Sequence, residues 1–393
     1  MLALCASLLA AGAADWPQWR GPDCNGISKE TGWQGRWGAS GPKVAWSNSL
    51  GTGFSSISVS KGRVYCMGNR ADSDFVFCFN AEDGEELWKY SYPAPIDAKM
   101  FEGGPCCTPT VDGGQVFTLS RRGLVLCLTA DAGKLVWQAD VEKMDFPMPT
   151  WGYAGSACIE KDAVLFNVGA AGIAFDKNTG KVLWQSDKKA PGYSTPVPCI
   201  VDGRKIVAMV GAQTVVGIDP TSGSVVWSYP WQTSYDINAT DALVSGNRVF
   251  VSAAYAHGAT VFEVKDGQTT KIWESKEMRN HINSSILIDG YVYGFDGDAE
   301  ASDGQLRCLD FRTGETKWST KLPADSLIAA DKRLIVLTSK GELITAEVST
   351  QEFKAISRSA VLTGKCWTPP TLANGKIYCR NASGELVCLD VSH

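Results

Sequence analysis

Five short stretches of the chain concentrate side chains able to grip or react with a small molecule. They are Trp151-Gly152-Tyr153, Tyr193, Tyr235-Asp236-Ile237-Asn238, Arg279-Asn280-His281-Ile282-Asn283 and Cys366-Trp367. Aromatic faces, amides, one carboxylate, one guanidinium and one imidazole together suit a polar, planar or sugar-like ligand, provided the fold gathers them. The plainer alternative is that they hydrogen-bond loops to one another. Cys106 and Cys107 are adjacent in sequence, a pair that can oxidise to a vicinal disulfide or arise by chance in a chain with 13 cysteines.

Other chemistry is sparse. His257, His281 and His393 are the only histidines and show no ligand spacing. No GxSxG and no P-loop occurs. Asp296-Gly297-Asp298-Ala299-Glu300, with Asp303, has the look of a calcium loop but lacks the glycine and terminal glutamate of an EF-hand. A solvated acidic loop and no metal site are therefore expected.

The elements that must position these groups repeat. Successive units end AEDGEELW (81–88), ADAGKLVW (130–137), KNTGKVLW (177–184), PTSGSVVW (220–227) and FRTGETKW (311–318), with a degenerate copy VKDGQTTKIW (264–273). Trp46, Trp88, Trp137, Trp184, Trp227, Trp273 and Trp318 recur every 42 to 49 residues, the size of a four-stranded propeller blade. Each unit starts a first strand near Ser or Thr, at 55–59, 108–111, 155–159, 195–200, 239–244, 283–288, 325–330 and 368–373. Pairs such as Asp112-Gly113 and Asp202-Gly203 then supply a tight hairpin. Asp176, Asp219 and Asp310 are placed to bond turn amides, and Gly180, Gly223 and Gly314 to take the left-handed position.

First strands number eight, whereas the last unit stops at Asp390 and His393 without a fourth strand, and the seventh fourth strand, near 353–356, has lost its Trp. The strand KVAWSNSL (43–50), with Trp46 in the expected place, supplies what the eighth unit lacks. The reading is an all-β, eight-bladed propeller of four-stranded antiparallel blades, closed by its N-terminal strand. Domains follow as 1–14, a signal peptide; 15–41, a Trp-rich strap; and 42–393, the propeller. Cys78, Cys127, Cys308 and Cys388 share one third-strand position, where Ala174 and Gly217 stand in other units, so packed free thiols are expected. Bridges Cys66–Cys78 and Cys379–Cys388 are the alternative.

Composition narrows the setting. Hydrophobic residues are 44% and charged residues 20%, enough for a large core. A net charge of −5 argues against a nucleic-acid surface. Leu2–Ala11 with Ala11-Gly12-Ala13-Ala14 reads as a cleaved export signal, too short to span a membrane, and Leu4 before Cys5 argues against lipidation. A periplasmic or extracellular monomer is expected.

The strings DGGQVFTL, GELVCLD and NTGKVLW make the chain, over essentially all of 43–393, resemble the pyrroloquinoline-quinone (PQQ)-like propeller superfamily. DWPQWRGP, 278–297 and 366–390 look like an exported subgroup of it. The superfamily includes quinoprotein alcohol dehydrogenases and the non-catalytic propeller lipoprotein of the outer-membrane β-barrel assembly machine. In the dehydrogenases a vicinal disulfide covers PQQ, so the resemblance implies a cofactor role for Cys106 and Cys107. The calcium set, catalytic Asp and floor Trp of those enzymes are not identifiable. The expected function is a non-catalytic scaffold binding an envelope protein, glycan or small polar ligand at the channel mouth, with no assured cofactor. The alternative is a PQQ- and Ca²⁺-dependent dehydrogenase of alcohols or sugars.

Overall fold

The computed structural model describes residues 14–99, 101–299, 304–322 and 324–392, the side chains of Ala324 and Asp325 excepted. The 1–14 signal, apart from Ala14, lies outside the described residues, as do Glu300 and Asp303 of the acidic loop. The strands form eight sheets, each a meander from an inner to an outer strand. They cover residues 58–93, 110–140, 158–185, 197–230, 243–275, 286–321 and 324–360, blades 1 to 7. Blade 8 joins 371–390 to Lys43–Ser49, which pairs antiparallel with Glu385–Asp390 and closes the ring. The only helical element among the described residues is a 3-10 turn, Ser234–Asp236.

The outer-strand tryptophans lock blade to blade. The indole N–H of Trp88 donates to Ala130 O of the next blade (3.0 Å), that of Trp137 to Lys177 O (2.8 Å) and that of Trp184 to Pro220 O (2.9 Å). Trp46, Trp273 and Trp318 repeat the contact with Ala81, Phe311 and Ser349. The receiving turn is built as its sequence implies: Asp176 Oδ1 accepts Thr179 N at 2.8 Å, and Gly180 turns at φ 70°. That glycine lies flat on the Trp137 ring, where a Cβ would overlap it. Trp227 is the exception. The degenerate blade 5 replaces the longer turn with the two-residue hairpin Asp266-Gly267 (φ 51° and 74°), and Trp227 Nε1 is buried without a partner. Its ring lies instead over Gly217 of its own blade and packs against Phe262 at 5.6 Å.

The small third-strand residues lie opposite these tryptophans: Cys78 pairs with Trp88, Cys127 with Trp137, Ala174 with Trp184 and Cys388 with Trp46. Smallness makes room for the indole. The two alternative strand-to-strand bridges are ruled out by register. Cys66 is opposite Phe77 and Cys78 opposite Tyr65, so the two thiols face opposite sides of the sheet. Cys379 opposite Val387 and Cys388 opposite Tyr378 repeat that offset. All twelve described cysteines are free thiols.

Most inner strands begin two to four residues later than the Ser/Thr signals place them, at Ser58, Thr110, Cys158, Val197, Leu243, Ile286 and Thr371. The preceding residues are used differently. Ser56 N donates to Thr108 Oγ1 (3.1 Å), Thr108 N to Ser156 Oγ (2.9 Å) and Ser156 N to Thr195 Oγ1 (2.9 Å). Thr195 N then donates to Asp241 Oδ1 (2.8 Å) and Asp241 N to Ser284 Oγ (2.8 Å). This belt runs around the channel through blades 1 to 6 and satisfies amides that the inner strands leave unpaired.

The N-terminal segment enters the channel from the hairpin side. Ala14 N donates to Asn374 Oδ1 (2.8 Å) and Asp15 accepts Lys61 N (3.0 Å). Trp16 then bridges to Val59 of blade 1. Pro17 O accepts Val111 N of blade 2 (2.8 Å), and Arg20 Nη2 reaches Ser285 O of blade 6 (2.7 Å). Ile27–Ser28 adds to blade 7 as a parallel fifth strand, so that blade is not four-stranded.

Candidate functional site

On the face where each blade crosses to the next, the channel widens into a cavity of about 400 Å³. Seven of the eight crossings contribute: Phe54, Cys106, Trp151, Tyr193, Ile237, His281 and Trp367 stand at successive ones. The floor is Trp19, whose indole donates to Asp241 Oδ2 at 2.7 Å. Asp241 occupies a belt position held elsewhere by Ser or Thr, and its extra acceptor is what anchors the strap. Arg20 Nε lies 3.7 Å from the same carboxylate, both side chains buried. Burial raises the Asp241 pKa, opposed first by Arg20 and then by the Trp19 indole.

The structure brings together Trp151, Tyr193, His281, Asn283, Trp367 and Cys106 of the residues singled out in sequence. Tyr193 Oη accepts Trp151 N at 3.4 Å, and Asn283 Nδ2 donates to Trp367 O at 2.8 Å across blades 6 and 8. His281 Nδ1 accepts Ala299 N at 2.8 Å, which leaves its proton on Nε2, 3.0 Å from Tyr255 Oη. Burial lowers the His281 pKa, consistent with this neutral tautomer.

Others go elsewhere. Tyr153 is buried in the blade 2–blade 3 core with its hydroxyl on Pro147 O. Asn238 is also buried and ties the loop by donating to Gly211 O and Ala212 O. Tyr235 is 77% exposed, outside the cavity at φ 64°, and Asp236 beside it is held by Gln213. Arg279 makes a bidentate pair with Asp296 (2.7 and 2.8 Å), which Arg307 also reaches at 3.0 Å. Asp296 is therefore buried and paired rather than solvated; Asp298 alone of the described loop acids faces water, at the cavity rim. Cys107 turns into the core, its sulfur accepting Leu119 N, while Cys106 faces the cavity. Burial pushes these thiols up to about 12 and about 11. Trp19, Phe54, Phe101, Tyr255 and Asp241 escaped sequence reasoning; only Asp241 carried a signal, as the acid standing at a Ser/Thr belt position.

The lining does not fit PQQ, a planar quinone with three carboxylates. Among the described lining residues the only charged side chains are Asp241 and Asp298, and no Lys or Arg faces the space to meet an anion. No cluster of three or more His, Cys, Asp or Glu able to hold a metal occurs among the described residues.

Comparison with known proteins follows the fold. The family described as outer membrane protein assembly factor BamB matches residues 30–167 and 73–320. Outer membrane protein assembly factor BamB of Yersinia pestis is 25% identical over 292 residues, 71% of this chain and 72% of that protein. Quinoprotein alcohol dehydrogenase PedH of Pseudomonas putida is 26% identical over 267 residues, 64% of this chain but 40% of that enzyme. Among solved structures, BamB from Moraxella catarrhalis superposes with TM-score 0.64 at 18% identity, covering 89% of this chain and 98% of that one. A europium-containing methanol dehydrogenase gives 0.68 at 14% identity, covering 96% and 89%. These structural likenesses concern the fold.

Proposed function

The chain belongs to the PQQ-like propeller family described as outer membrane protein assembly factor BamB, and from that premise we propose that it is an exported, non-catalytic binding module. Its partner is a protein of the cell envelope, engaged at the crossing face. The observation that carries this reading is the state of the polar groups in the cavity. Both oxygens of Asp241 are engaged, by Thr195 N and Trp19 Nε1, and both nitrogens of His281 are engaged, by Ala299 N and Tyr255 Oη. An acid–base pair needs a free site within hydrogen-bond reach of substrate, and these two groups are spent on holding loops and strap. Trp151 and Trp367, by contrast, line the opening as aromatic anchors of the kind that dominate binding surfaces.

Crosslinking in the native envelope followed by purification and mass spectrometry tests this. A defined envelope partner should be captured by the wild type and lost with Tyr193→Ala and His281→Ala. Equal capture by the variants removes the mouth from the proposal.

The dehydrogenase reading rests on the likeness to quinoprotein alcohol dehydrogenases, and the free Cys106 thiol with Cys107 turned into the core stands against it. Adding PQQ and Ca²⁺ to the purified protein and following quinone absorbance and dye reduction tests it. Dye reduction with alcohols would overturn the non-catalytic reading.

A further inference from the structure

This inference rests on the mouth being a binding site and concerns what fills it. The wall is an arc of rings: Trp367 and Phe54 have centroids 5.4 Å apart, Phe54 and Phe101 5.7 Å, Phe101 and Trp151 6.3 Å. Tyr193 continues the arc beyond Trp151, Tyr255 stands edge-on to His281 at 4.9 Å, and Trp19 lies below. The face of an aromatic ring carries negative potential, so convergent rings attract cations.

The charges agree. No described Lys or Arg lines the cavity, His281 is held neutral by the Ala299 amide on Nδ1, and Asp298 presents its carboxylate at the rim. Two rings already carry protein cations. Arg121 lies 4.9 Å from the Phe101 centroid and Lys365 4.2 Å from that of Trp367, the latter balanced by Glu102 at 2.9 Å. Trp19, Trp151, Tyr193 and Tyr255 remain to meet a ligand.

Part of the polar capacity a sugar would use is already taken. Ser156 and Thr195 accept belt amides, and the Asn283 amide donates to Trp367 O. We propose that the cavity takes an organic cation, an alkylated ammonium head on an apolar stem, held by these four rings and by Asp298.

Calorimetric and tryptophan-fluorescence titration of the whole protein, at constant ionic strength, tests this with choline, tetramethylammonium and the uncharged choline isostere 3,3-dimethyl-1-butanol. Choline should saturate, with the isostere about tenfold weaker, a factor within the range of desolvated cation–π contacts. Asp298→Asn, a near-isosteric change at an exposed site, should weaken choline about threefold. Trp151→Leu should weaken it about tenfold with an unchanged circular dichroism spectrum. A trimethyl-lysine peptide run beside choline separates a partner's side chain from a free amine; preference for either supports the class. Equal affinity for the isostere, or saturation by N-acetylglucosamine oligomers with no response to cations, overturns it. Absent cation binding with partner capture retained overturns this inference alone. Cation binding with capture unaffected by mouth variants overturns the envelope-partner reading alone.

Discussion

Arg380 on blade 8 places Nη1 2.6 Å from the carbonyl oxygen of Met67 on blade 1, across the seam where the ring closes. The same guanidinium reaches Ser55 O at 3.1 Å and Gly51 O at 3.3 Å, and no part of it meets water. Burial lowers its pKa to about 10, still well above neutrality, so the charge persists and is met only by backbone carbonyls.

Arg380→Met should therefore leave buried carbonyls unsatisfied and cost about 3 kcal/mol, the upper range for such groups. Thermal unfolding monitored with hydrogen exchange should show the loss concentrated in 51–67 and 376–381, where blades 8 and 1 meet. An unchanged melting temperature and unchanged exchange there would show the seam to be held by other contacts.

Trp184 and Trp227 occupy equivalent places but differ in their N–H. Trp184 Nε1 donates to Pro220 O at 2.9 Å, whereas Trp227 Nε1 is buried without a partner. Trp184→Phe should cost about 1 kcal/mol more than Trp227→Phe, the net worth of one buried hydrogen bond. Paired denaturant melts read the difference, and equal losses would contradict the lock.

Asp74 is buried beside Asn69 Nδ2 (2.7 Å) and Tyr92 Oη (3.2 Å), and desolvation raises its pKa from 3.8 to about 6. The folded state then binds its proton more tightly than the unfolded state. The stability it contributes is fully present below pH 3.8 and is lost as pH rises through about 6. At about 1.4 kcal/mol per unit, the loss amounts to about 3 kcal/mol at most. Asp74→Asn should flatten the stability curve between those limits and gain on the wild type at pH 7. Parallel curves for the two proteins would refute the assignment.

His281 has the opposite sign. Its pKa is lowered by burial, so the unfolded state binds the proton more readily. Stability is complete above the ordinary value of 6.5 and falls as pH drops below it, because a protonated Nδ1 cannot accept the Ala299 amide. The protection factor of the Ala299 amide should decline over that range in the wild type and stay level in His281→Gln. Constant protection in the wild type would mean that the loop is held by something else.

The repeated architecture was legible because its cues are local and periodic. Trp spacing, Asp176 with Gly180, and the orphan strand around Trp46 each act within one turn or one strand, and the sheets formed as read save for the parallel fifth strand Ile27–Ser28 on blade 7. The cavity was legible only where its residues sit in the crossings, as with Trp151, Tyr193, His281 and Trp367. Trp19 was not, because a strap that threads the channel has no period to betray its contacts. Tyr153 and Asn238 misled because a loop residue one position away from the opening can turn inward and satisfy the core instead. The cysteine bridges failed on a one-residue offset, which sequence distance cannot resolve and pleat geometry decides.

Ala14 is tied to the Asn374 hairpin, on the side of the ring opposite the cavity opening. Ala14, where the described strap begins, therefore lies at the back of the disc. A support that held the disc by this hairpin face would turn the aromatic bowl outward, free to meet whatever approaches from the far side.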